Sequence, residues 1–345
     1  MNTLTAMSQG AEHLVIIAEA GVNHNGSEVV AHQLIDAAAN SGADFVKFQT
    51  FSADKLVARS TSTTRYQLQR SGAADQISLL SELTLPEDSW ARLQNHAHQA
   101  GIGFLSTPFD YESARMLVDM GVDALKVSSG ELTNLPFLAF LSSLNTHILV
   151  STGMGSEKEV VAAAAACAAA PHVALFHCVS AYPAPEAECN LRAIPALHEL
   201  TGLPVGWSDH TIGLATAPIA AALGARIFEK HFTLDRSLPG PDHAASLEPT
   251  ELQEYVRRIK DVLPMLGDGV KRAMPSEAEN GPLVRRSWHA TRSLSVGHIM
   301  SPGDFVALRP EGGISPSQDL VGYAVTHPVA EGESIKEAYL GKRND

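Results

Sequence analysis

The sequence predicts an α/β fold, namely a (β/α)8 TIM barrel followed by a small β-rich domain. Eight short apolar runs recur over the first 235 residues, and each run ends in polar residues. Amphipathic or alanine-rich segments, which favour helix, lie between most of these runs. An open, doubly wound sheet is the alternative. The count of eight and the polar chemistry after every run favour the closed barrel.

The predicted strands are short and apolar, as buried parallel strands are. They lie within residues 14–26, 44–50, 102–110, 123–131, 147–154, 173–183, 204–211 and 225–235. Two predicted helices follow Ser27 and Ser156, whose hydroxyls are suited to cap free backbone N–H groups. Residues 51–100 form one long connection, whose polar part contains the stretch RYQLQ. Because long loops on a barrel are usually functional, we expect this connection to serve the site.

The amino-acid composition of the chain changes after the eighth predicted strand. We assign residues 1–270 to the barrel and the polar, turn-rich residues 271–285 to a linker. Residues 286–345 show short alternating runs with many Gly and Pro, which predicts a small β-rich domain. A domain of this size has a marginal core on its own, so docking on another surface would stabilise it.

Composition narrows the class of protein. The 345-residue chain is 45% hydrophobic and 18% charged, as in a globular protein, and its net charge is −13. An acidic balance argues against a general nucleic-acid or anionic-membrane surface. The three cysteines, Cys167, Cys178 and Cys189, follow no disulfide pattern. With no membrane-length apolar run and no signal-peptide pattern, a cytoplasmic protein is expected.

Lysines and hydroxyls at the strand ends predict an anion site. The carboxyl ends of barrel strands share one mouth, where active sites of this fold lie. Lys47 and Lys126, with hydroxyls of Thr107, Ser129 and Ser208, could hold a phosphate or carboxylate there. The alternative for a single lysine is a strand-end charge that reaches solvent. Two lysines flanked by hydroxyls favour the anion site.

Two histidines at the last strand ends suggest a metal site. His210 and His231 end the seventh and eighth predicted strands, and neutral imidazole is a common ligand of divalent transition metals. Two ordinary hydrogen-bonding histidines at a rim would show the same spacing, so spacing alone leaves both interpretations open. Asp209 or Glu229 could orient a ligand, and Glu19, Glu131 and Asp242 are further carboxylates suited to proton transfer or sugar hydroxyls. Asp242 could equally be a turn-forming residue.

The chain resembles a known family along nearly its whole length. The stretches that carry the resemblance are IIAEAGVNHNG, VKFQTF, FLSTPFD, KVSSGELTNLP, STGM, WSDHT, EKHFTLD and GPDHAASLEP. In this order they are similar to the sialic acid (N-acetylneuraminate) synthase family, and LRPEGGISP resembles that family's antifreeze-like (SAF) domain. The resemblance implies condensation of phosphoenolpyruvate with the open-chain aldehyde of an N-acetylmannosamine-type sugar and water, with release of phosphate.

The resemblance also implies roles for individual residues. His210 and His231 would bind a divalent metal, Mn²⁺ or Mg²⁺, that polarises the sugar aldehyde. Glu19 and Glu229 would orient the attacking water or move its proton. Phosphoenolpyruvate would be bound by Lys47, Thr107, Lys126, Ser129, Ser180 and Ser208, and the sugar by Gln49, Glu131, Tyr182, Asp242 and Arg309. Some family members carry Asn at the position of Ser180, and the shorter serine puts that phosphate contact in question.

Arg309 has a particular implication, because it lies in the C-terminal domain. In the family this domain of one subunit caps the barrel of the other, and the matching arginine contacts the sugar's N-acetyl group. The resemblance therefore predicts a homodimer with swapped C-terminal domains.

The acceptor sugar is the remaining choice. The motifs are similar to bacterial N-acetylneuraminate and legionaminate synthases, and we expect N-acetylmannosamine, with 2,4-diacetamido-2,4,6-trideoxymannose as the alternative. Two other classes stay open: a sugar-binding relative without activity, and a metal-dependent aldolase that uses free pyruvate.

Overall fold

The barrel predicted from the sequence is confirmed. The computed structural model describes residues 13–58 and 76–343 and divides the chain into two compact units, Met1–Gly267 and Asp268–Asp345. In the first unit eight parallel strands close into a barrel in the order of the sequence. All eight lie within the predicted runs: β1 (Val15–Gly21), β2 (Phe45–Thr50), β3 (Gly103–Pro108), β4 (Ala124–Val127), β5 (His147–Ser151), β6 (Val173–Cys178), β7 (Val205–Asp209) and β8 (Ile227–His231).

Helices surround the strands. Within the described residues they are α1 (Glu28–Asn40), α2 (Ala53–Leu56), α3 (Gln76–Glu82), α4 (Glu87–Gln99), α5 (Tyr111–Asp119), α6 (Leu135–Ser143), α7 (Glu157–Ala166), α8 (Ala193–Thr201), α9 (Thr216–Ala222), α10 (Pro249–Lys260) and α11 (Val262–Leu266). Both predicted caps are confirmed: the Ser27 hydroxyl accepts from the N–H of Val30, and Ser156 forms a capping box with Glu159. The long connection between β2 and β3 contains α2 to α4, and its RYQLQ stretch lies outside the described residues.

Closure of the barrel rests on β1, which pairs with β2 on one side and β8 on the other. Because side chains alternate across a strand, each strand presents one row to the interior and one to the helices. Near the amino ends the interior row is apolar and forms a cluster of its own, which includes Val15, Ile17, Phe45 and Ile227. Two residues further along the same rows stand Glu19, Lys47 and Glu229. The alternation therefore aims charged side chains into the carboxyl-end mouth.

The second unit is β-rich, as the sequence predicts. It contains α12 (Asn280–Val284) and strands β9 (Ser287–Ala290), β10 (Phe305–Leu308), β11 (Tyr323–Val325) and β12 (Leu340–Arg343), paired antiparallel as β9 with β10 and β11 with β12. A separate apolar cluster that includes Leu294, Met300 and Ile335 forms its core. Within the two described ranges, no helix is both long enough and apolar enough to cross a membrane.

Candidate active site

Three charged side chains meet at the centre of the barrel mouth. Lys47 Nζ lies 2.9 Å from Glu19 Oε1 and 3.7 Å from Glu229 Oε2, and it donates to Thr107 Oγ1 at 3.0 Å. These side chains come from β1, β2, β3 and β8, so tertiary structure brings together residues that are up to 210 positions apart (229 − 19). Glu19, Lys47 and Glu229 are all buried.

A second lysine approaches Glu229 from the other side. Lys126 Nζ lies 3.7 Å from Glu229 Oε1 and donates to Ser151 Oγ at 2.5 Å. Ser208 Oγ donates to the same Glu229 oxygen at 3.1 Å. Glu229 therefore stands between two ammonium groups. Because one carboxylate does not neutralise two lysines, positive charge is left for a small anion when Glu19 is protonated.

The two carboxyls differ in acidity because their surroundings differ. Burial raises the pKa of Glu19 to about 7, since the attraction of Lys47 only partly offsets the loss of water and the negative charge of Glu229 adds to the rise. Burial alone would also raise the pKa of Glu229, but Lys126 and Lys47 together hold it down at about 2. Glu229 is therefore ionised throughout the neutral range, and Glu19 can gain or lose a proton near neutrality.

His210 and His231 lie next to each other, as a shared site requires. Their ring centroids are 5.6 Å apart, and the ring of Tyr182 packs against His210 at a tilt of 40°, with centroids 4.3 Å apart. His210 Nδ1 lies 2.7 Å from the carbonyl of Val179. Because a carbonyl only accepts, Nδ1 carries the proton and Nε2 keeps its lone pair. Burial lowers the pKa of both histidines, so both rings are neutral.

The donor set fits a divalent cation. Among the residues that the structure describes, the buried Nδ1 atom of His231 has no hydrogen-bond partner, and Asp242 Oδ2 lies 3.9 Å away. A ring nitrogen left without a partner is suited to a ligand that the protein alone does not supply. Over residues 13–58 and 76–343, no three His, Cys, Asp or Glu side chains are grouped to hold a metal by themselves. A two-histidine site would leave coordination positions open to substrate, as catalysis needs.

A compact turn beside Lys126 collects two further hydroxyls. The N–H of Gly153 donates to Ser129 Oγ at 3.0 Å, and Ser129 Oγ lies 3.2 Å from Cys178 Sγ. A Cβ atom at Gly153 would lie 2.2 Å from Ser180 Oγ and 2.8 Å from Ser129 Oγ, so any side chain there would displace both hydroxyls. The buried hydroxyl of Ser180 has no partner within residues 13–58 and 76–343 and remains available to a ligand.

The predicted sugar residues lie at different depths. Gln49 Nε2 donates to Glu19 Oε1 at 3.1 Å, which places Gln49 beside the central charges. The position of Asp242 is close, since a Cβ at Gly21 would be 3.4 Å from Gln49 and 3.7 Å from Asp242. Glu131 is half-buried after β4 and accepts from Asn134 at 2.7 Å. Arg309 is an exposed residue of the second unit, directly after β10, and its contact with the sugar stays a prediction.

Some residues that strand-end position alone would place in the mouth face outward instead. Ser106 pairs its hydroxyl with Thr50 at 2.7 Å between the strands and the helices, and His177 Nε2 contacts the carbonyl of Cys189 at 2.7 Å. Both lie one residue out of phase with the interior row. Sequence reasoning also gave no role to Ser151 or to the backbone of Gly153, which contact Lys126 and Ser129. The alternation of side chains along β5 was the available signal.

Asp209 lies on the helix side of β7, away from the mouth. Its Oδ1 accepts from the N–H of Thr211 at 2.9 Å and from the Thr211 hydroxyl at 2.7 Å, and its Oδ2 accepts from Thr216 at 2.8 Å. It also pairs with the buried Lys230 of β8, with Nζ 3.2 Å from Oδ1.

The mouth of the barrel brings together two lysines, two carboxyls of opposed acidity and two neutral histidines. Such a site is typical of an enzyme. The NeuB family model matches residues 34–271. The chain is 42% identical to the N,N'-diacetyllegionaminic acid synthase of Campylobacter jejuni, over 94% of this chain and 99% of the relative. It is 41% identical to the synthase of the same description from Legionella pneumophila, over 93% and 92%.

A solved structure agrees with these sequence matches. The N-acetylneuraminic acid synthetase of Leptospira borgpetersenii, in complex with citrate, superposes with a TM-score of 0.71 at 32% identity, covering 79% of this chain and 91% of that one. The chain belongs to the NeuB family, the sialic acid synthase family that its motifs resemble, and it is an enzyme of that synthase class.

Proposed function

We propose that this enzyme condenses phosphoenolpyruvate with 2,4-diacetamido-2,4,6-trideoxymannose and water, giving N,N'-diacetyllegionaminate and phosphate. The observation that carries the chemistry is the placement of ionised Glu229 between Lys47 and Lys126, beside two neutral histidines. This pocket suits a substrate that carries a phosphate and a carboxylate and whose reaction passes through a cation.

The choice of acceptor revises the expectation drawn from the sequence motifs, which put N-acetylmannosamine first. Identity is 42% and 41% to two legionaminic acid synthases but 32% to the N-acetylneuraminic acid synthetase of known structure. The comparison supports the diacetamido sugar, and N-acetylmannosamine becomes the second candidate.

The lysines and hydroxyls bind phosphoenolpyruvate. Lys47 and Lys126 neutralise its charges, and the unpartnered Ser180 hydroxyl, together with Ser129 at the Gly153 turn, accommodates phosphate oxygens. Thr107 and Ser208 hold Lys47 and Glu229 in place through bonds of 3.0 and 3.1 Å. The methylene carbon of phosphoenolpyruvate bonds to the aldehyde carbon of the sugar, and positive charge develops at the carbon that bears the phosphate.

The two carboxyls divide the remaining work. Glu229 stays ionised and stabilises the cation, because a carboxyl with a pKa of about 2 is a poor proton acceptor at neutral pH. Glu19, with a pKa of about 7 and a buried oxygen without a partner, takes the proton from the water that adds to the cationic carbon. The bond from that carbon to the phosphate oxygen then breaks. One hydrogen of the water ends on the phosphate, and the other ends on the hydroxyl formed from the aldehyde oxygen.

His210 and His231 would hold the divalent metal, Mn²⁺ or Mg²⁺. When bound, the metal supplies Lewis acidity toward the sugar aldehyde. The chain contributes the two neutral rings, the Val179 carbonyl that sets the tautomer of His210, and the Tyr182 ring that packs against His210. Gln49, Glu131, Tyr182 and Asp242 orient the sugar around this centre.

The second unit completes the site in a homodimer. Apolar residues of the 265–284 segment are largely exposed, including Met265 at 77%, Leu283 at 67% and Val270 at 62%. Several exposed apolar side chains on one short segment are typical of a surface that another chain covers. In the proposed dimer the second unit of one subunit brings Arg309 to the N-acetyl group at the partner's barrel.

Phosphate release tests the function directly. The enzyme is incubated with phosphoenolpyruvate, Mn²⁺ and either 2,4-diacetamido-2,4,6-trideoxymannose or N-acetylmannosamine, with and without chelator. We expect metal-dependent release with both sugars and a kcat/KM at least tenfold higher for the diacetamido sugar. A preference for N-acetylmannosamine reverses the acceptor assignment. Turnover of free pyruvate without phosphate release indicates an aldolase, and no turnover with any sugar indicates a binding protein.

A further inference from the structure

A buried ion pair lies directly behind the two histidines. Asp209 and Lys230 are register partners on β7 and β8, and each immediately precedes one histidine of the pair, His210 and His231. Side chains alternate along a strand, so Asp209 and Lys230 point to the helix side while the mouth lies on the other face. Both side chains are at most 1% exposed, and Lys230 Nζ lies 3.2 Å from Asp209 Oδ1.

The pair holds the turn that carries His210 from both sides. Asp209 accepts from the N–H and hydroxyl of Thr211, while Lys230 donates to the Thr211 carbonyl and to that of Gly213 at 3.4 Å. The backbone just after His210 is therefore bound by one residue from its own strand and one from its neighbour. Thr216 at the start of α9 adds a bond of 2.8 Å to Asp209.

Stability alone does not explain why the Asp209–Lys230 ion pair is buried here. Replacing a buried ion pair by apolar residues is often neutral or stabilising, so its presence is weak evidence of a contribution to the fold. Its location is specific, because it ties together the two strand ends whose imidazoles must keep one separation. A metal site depends on such supporting contacts, whose loss commonly weakens binding by roughly 10- to 100-fold.

We infer that Asp209 and Lys230 are a positioning pair that fixes His210 relative to His231 and thereby sets the affinity of the free enzyme for its divalent metal. The inference rests on the proposed assignment of the two histidines as metal ligands. It predicts that damage to the pair raises the Kd for the metal in every variant that still folds, in addition to its effect on the stability of the metal-free chain.

The test measures the Kd for Mn²⁺ from the electron paramagnetic resonance of free Mn²⁺, beside thermal unfolding of the metal-free protein. Lys230→Met removes one partner, and we expect a Kd about tenfold higher or more. Asp209→Asn keeps the shape and one oxygen that accepts from Thr211, and it loses the charge and the oxygen that accepts from Thr216. It should fold even where Lys230→Met does not, with a Kd at least threefold higher. The carboxylate of Asp44, at the amino end of the barrel, accepts from the Ile16 N–H at 2.8 Å. Asp44→Asn is therefore the matched control and should leave the Kd unchanged.

The outcomes separate the two claims. If wild type binds no Mn²⁺, or His210→Ala binds it as tightly as wild type, the metal assignment itself is wrong. If wild type binds and His210→Ala does not, but Asp209→Asn and every folded Lys230→Met sample stay within twofold of wild type, the positioning role is overturned. A lower unfolding temperature with unchanged Kd is likewise the result of a merely structural pair.

Discussion

Lys47 Nζ lies 2.9 Å from Oε1 of Glu19, and the two residues are register partners on neighbouring strands of the barrel. Despite this contact, burial and the charge of Glu229 keep the pKa of Glu19 at about 7. A carboxyl in this state is half ionised near neutrality, where a proton acceptor is most effective.

The rate should therefore follow the ionisation of Glu19. Only the ionised carboxylate accepts a proton, so kcat/KM for phosphoenolpyruvate should rise with pH and level off above about pH 7. Glu19→Gln should lower kcat by roughly 10²- to 10⁴-fold and remove the rising limb from the residual activity. Glu199→Gln, an exposed change on α8, is the control for charge. A rising limb that survives in Glu19→Gln assigns the titration to another group.

Loss of one histidine should remove the metal response and keep the fold. His210→Ala loses the bond to the Val179 carbonyl, worth about 1 kcal/mol, together with the 3.3 Å contact to Ser208 Oγ and the packing of Tyr182, so the unfolding temperature should fall while the chain stays folded. Phosphate release should no longer respond to Mn²⁺. His198→Ala loses a similar bond, to the Leu203 carbonyl at 2.8 Å, before the amino end of β7 and opposite the mouth, and it should keep full activity. Unchanged Mn²⁺ dependence in His210→Ala would contradict the assignment.

A single methyl group at Gly153 should disturb phosphoenolpyruvate binding. Its carbon would lie 2.2 Å from Ser180 Oγ and 2.8 Å from Ser129 Oγ, so both hydroxyls must move. We expect Gly153→Ala to raise KM for phosphoenolpyruvate tenfold or more, with a smaller effect on KM for the sugar. Gly130→Ala, whose new carbon would be 3.6 Å from Ser128 Oγ, is the nearby control. Equal changes in both KM values would point to a general distortion of the mouth.

The shared site can be tested with mixed dimers. Arg309→Ala alone should raise KM for the sugar far more than KM for phosphoenolpyruvate. His210→Ala and Arg309→Ala chains, co-expressed with different tags, should form a dimer in which one barrel has both an intact His210 and an intact Arg309 from its partner. We expect this dimer to recover up to half of the wild-type rate at low sugar concentration. Activity no higher than that of Arg309→Ala alone would place Arg309 in its own subunit's site, or outside any site.

The second unit should lose stability in acid. Asp304 accepts five hydrogen bonds, from Arg292, His298 and Ser301. Burial would raise the pKa of Asp304, but these partners hold it well below the usual value. A depressed pKa stabilises the folded state above about pH 4 and loses that contribution as the pH falls further. Hydrogen exchange of peptides from residues 286–343 should accelerate below pH 4, and Asp304→Asn should show fast exchange already at pH 7. If Asp304→Asn and the wild-type protein exchange at the same rate at pH 7, Asp304 does not stabilise the second unit.

Much of this protein was readable from its sequence. Eight apolar runs that end in polar residues determined the barrel, because buried parallel strands need continuous apolar stretches and their carboxyl ends must share one mouth. Lys47, Lys126, His210 and His231 could be selected on that ground. Ser106 and His177 could not be excluded, because position at a strand end does not tell which face a side chain occupies.

Only the tertiary structure decided how the selected residues act on one another. The opposed acidities of Glu19 and Glu229 depend on burial and on two lysines from other strands, and residue spacing carries neither quantity. The same holds for Asp209. In the sequence it lies between the site residues Ser208 and His210, but in the fold its side chain points to the opposite face of the strand and pairs with Lys230. Local patterns determine which strands form and where they end. Electrostatic energies depend on distances across the barrel, and those distances exist only once the strands have closed.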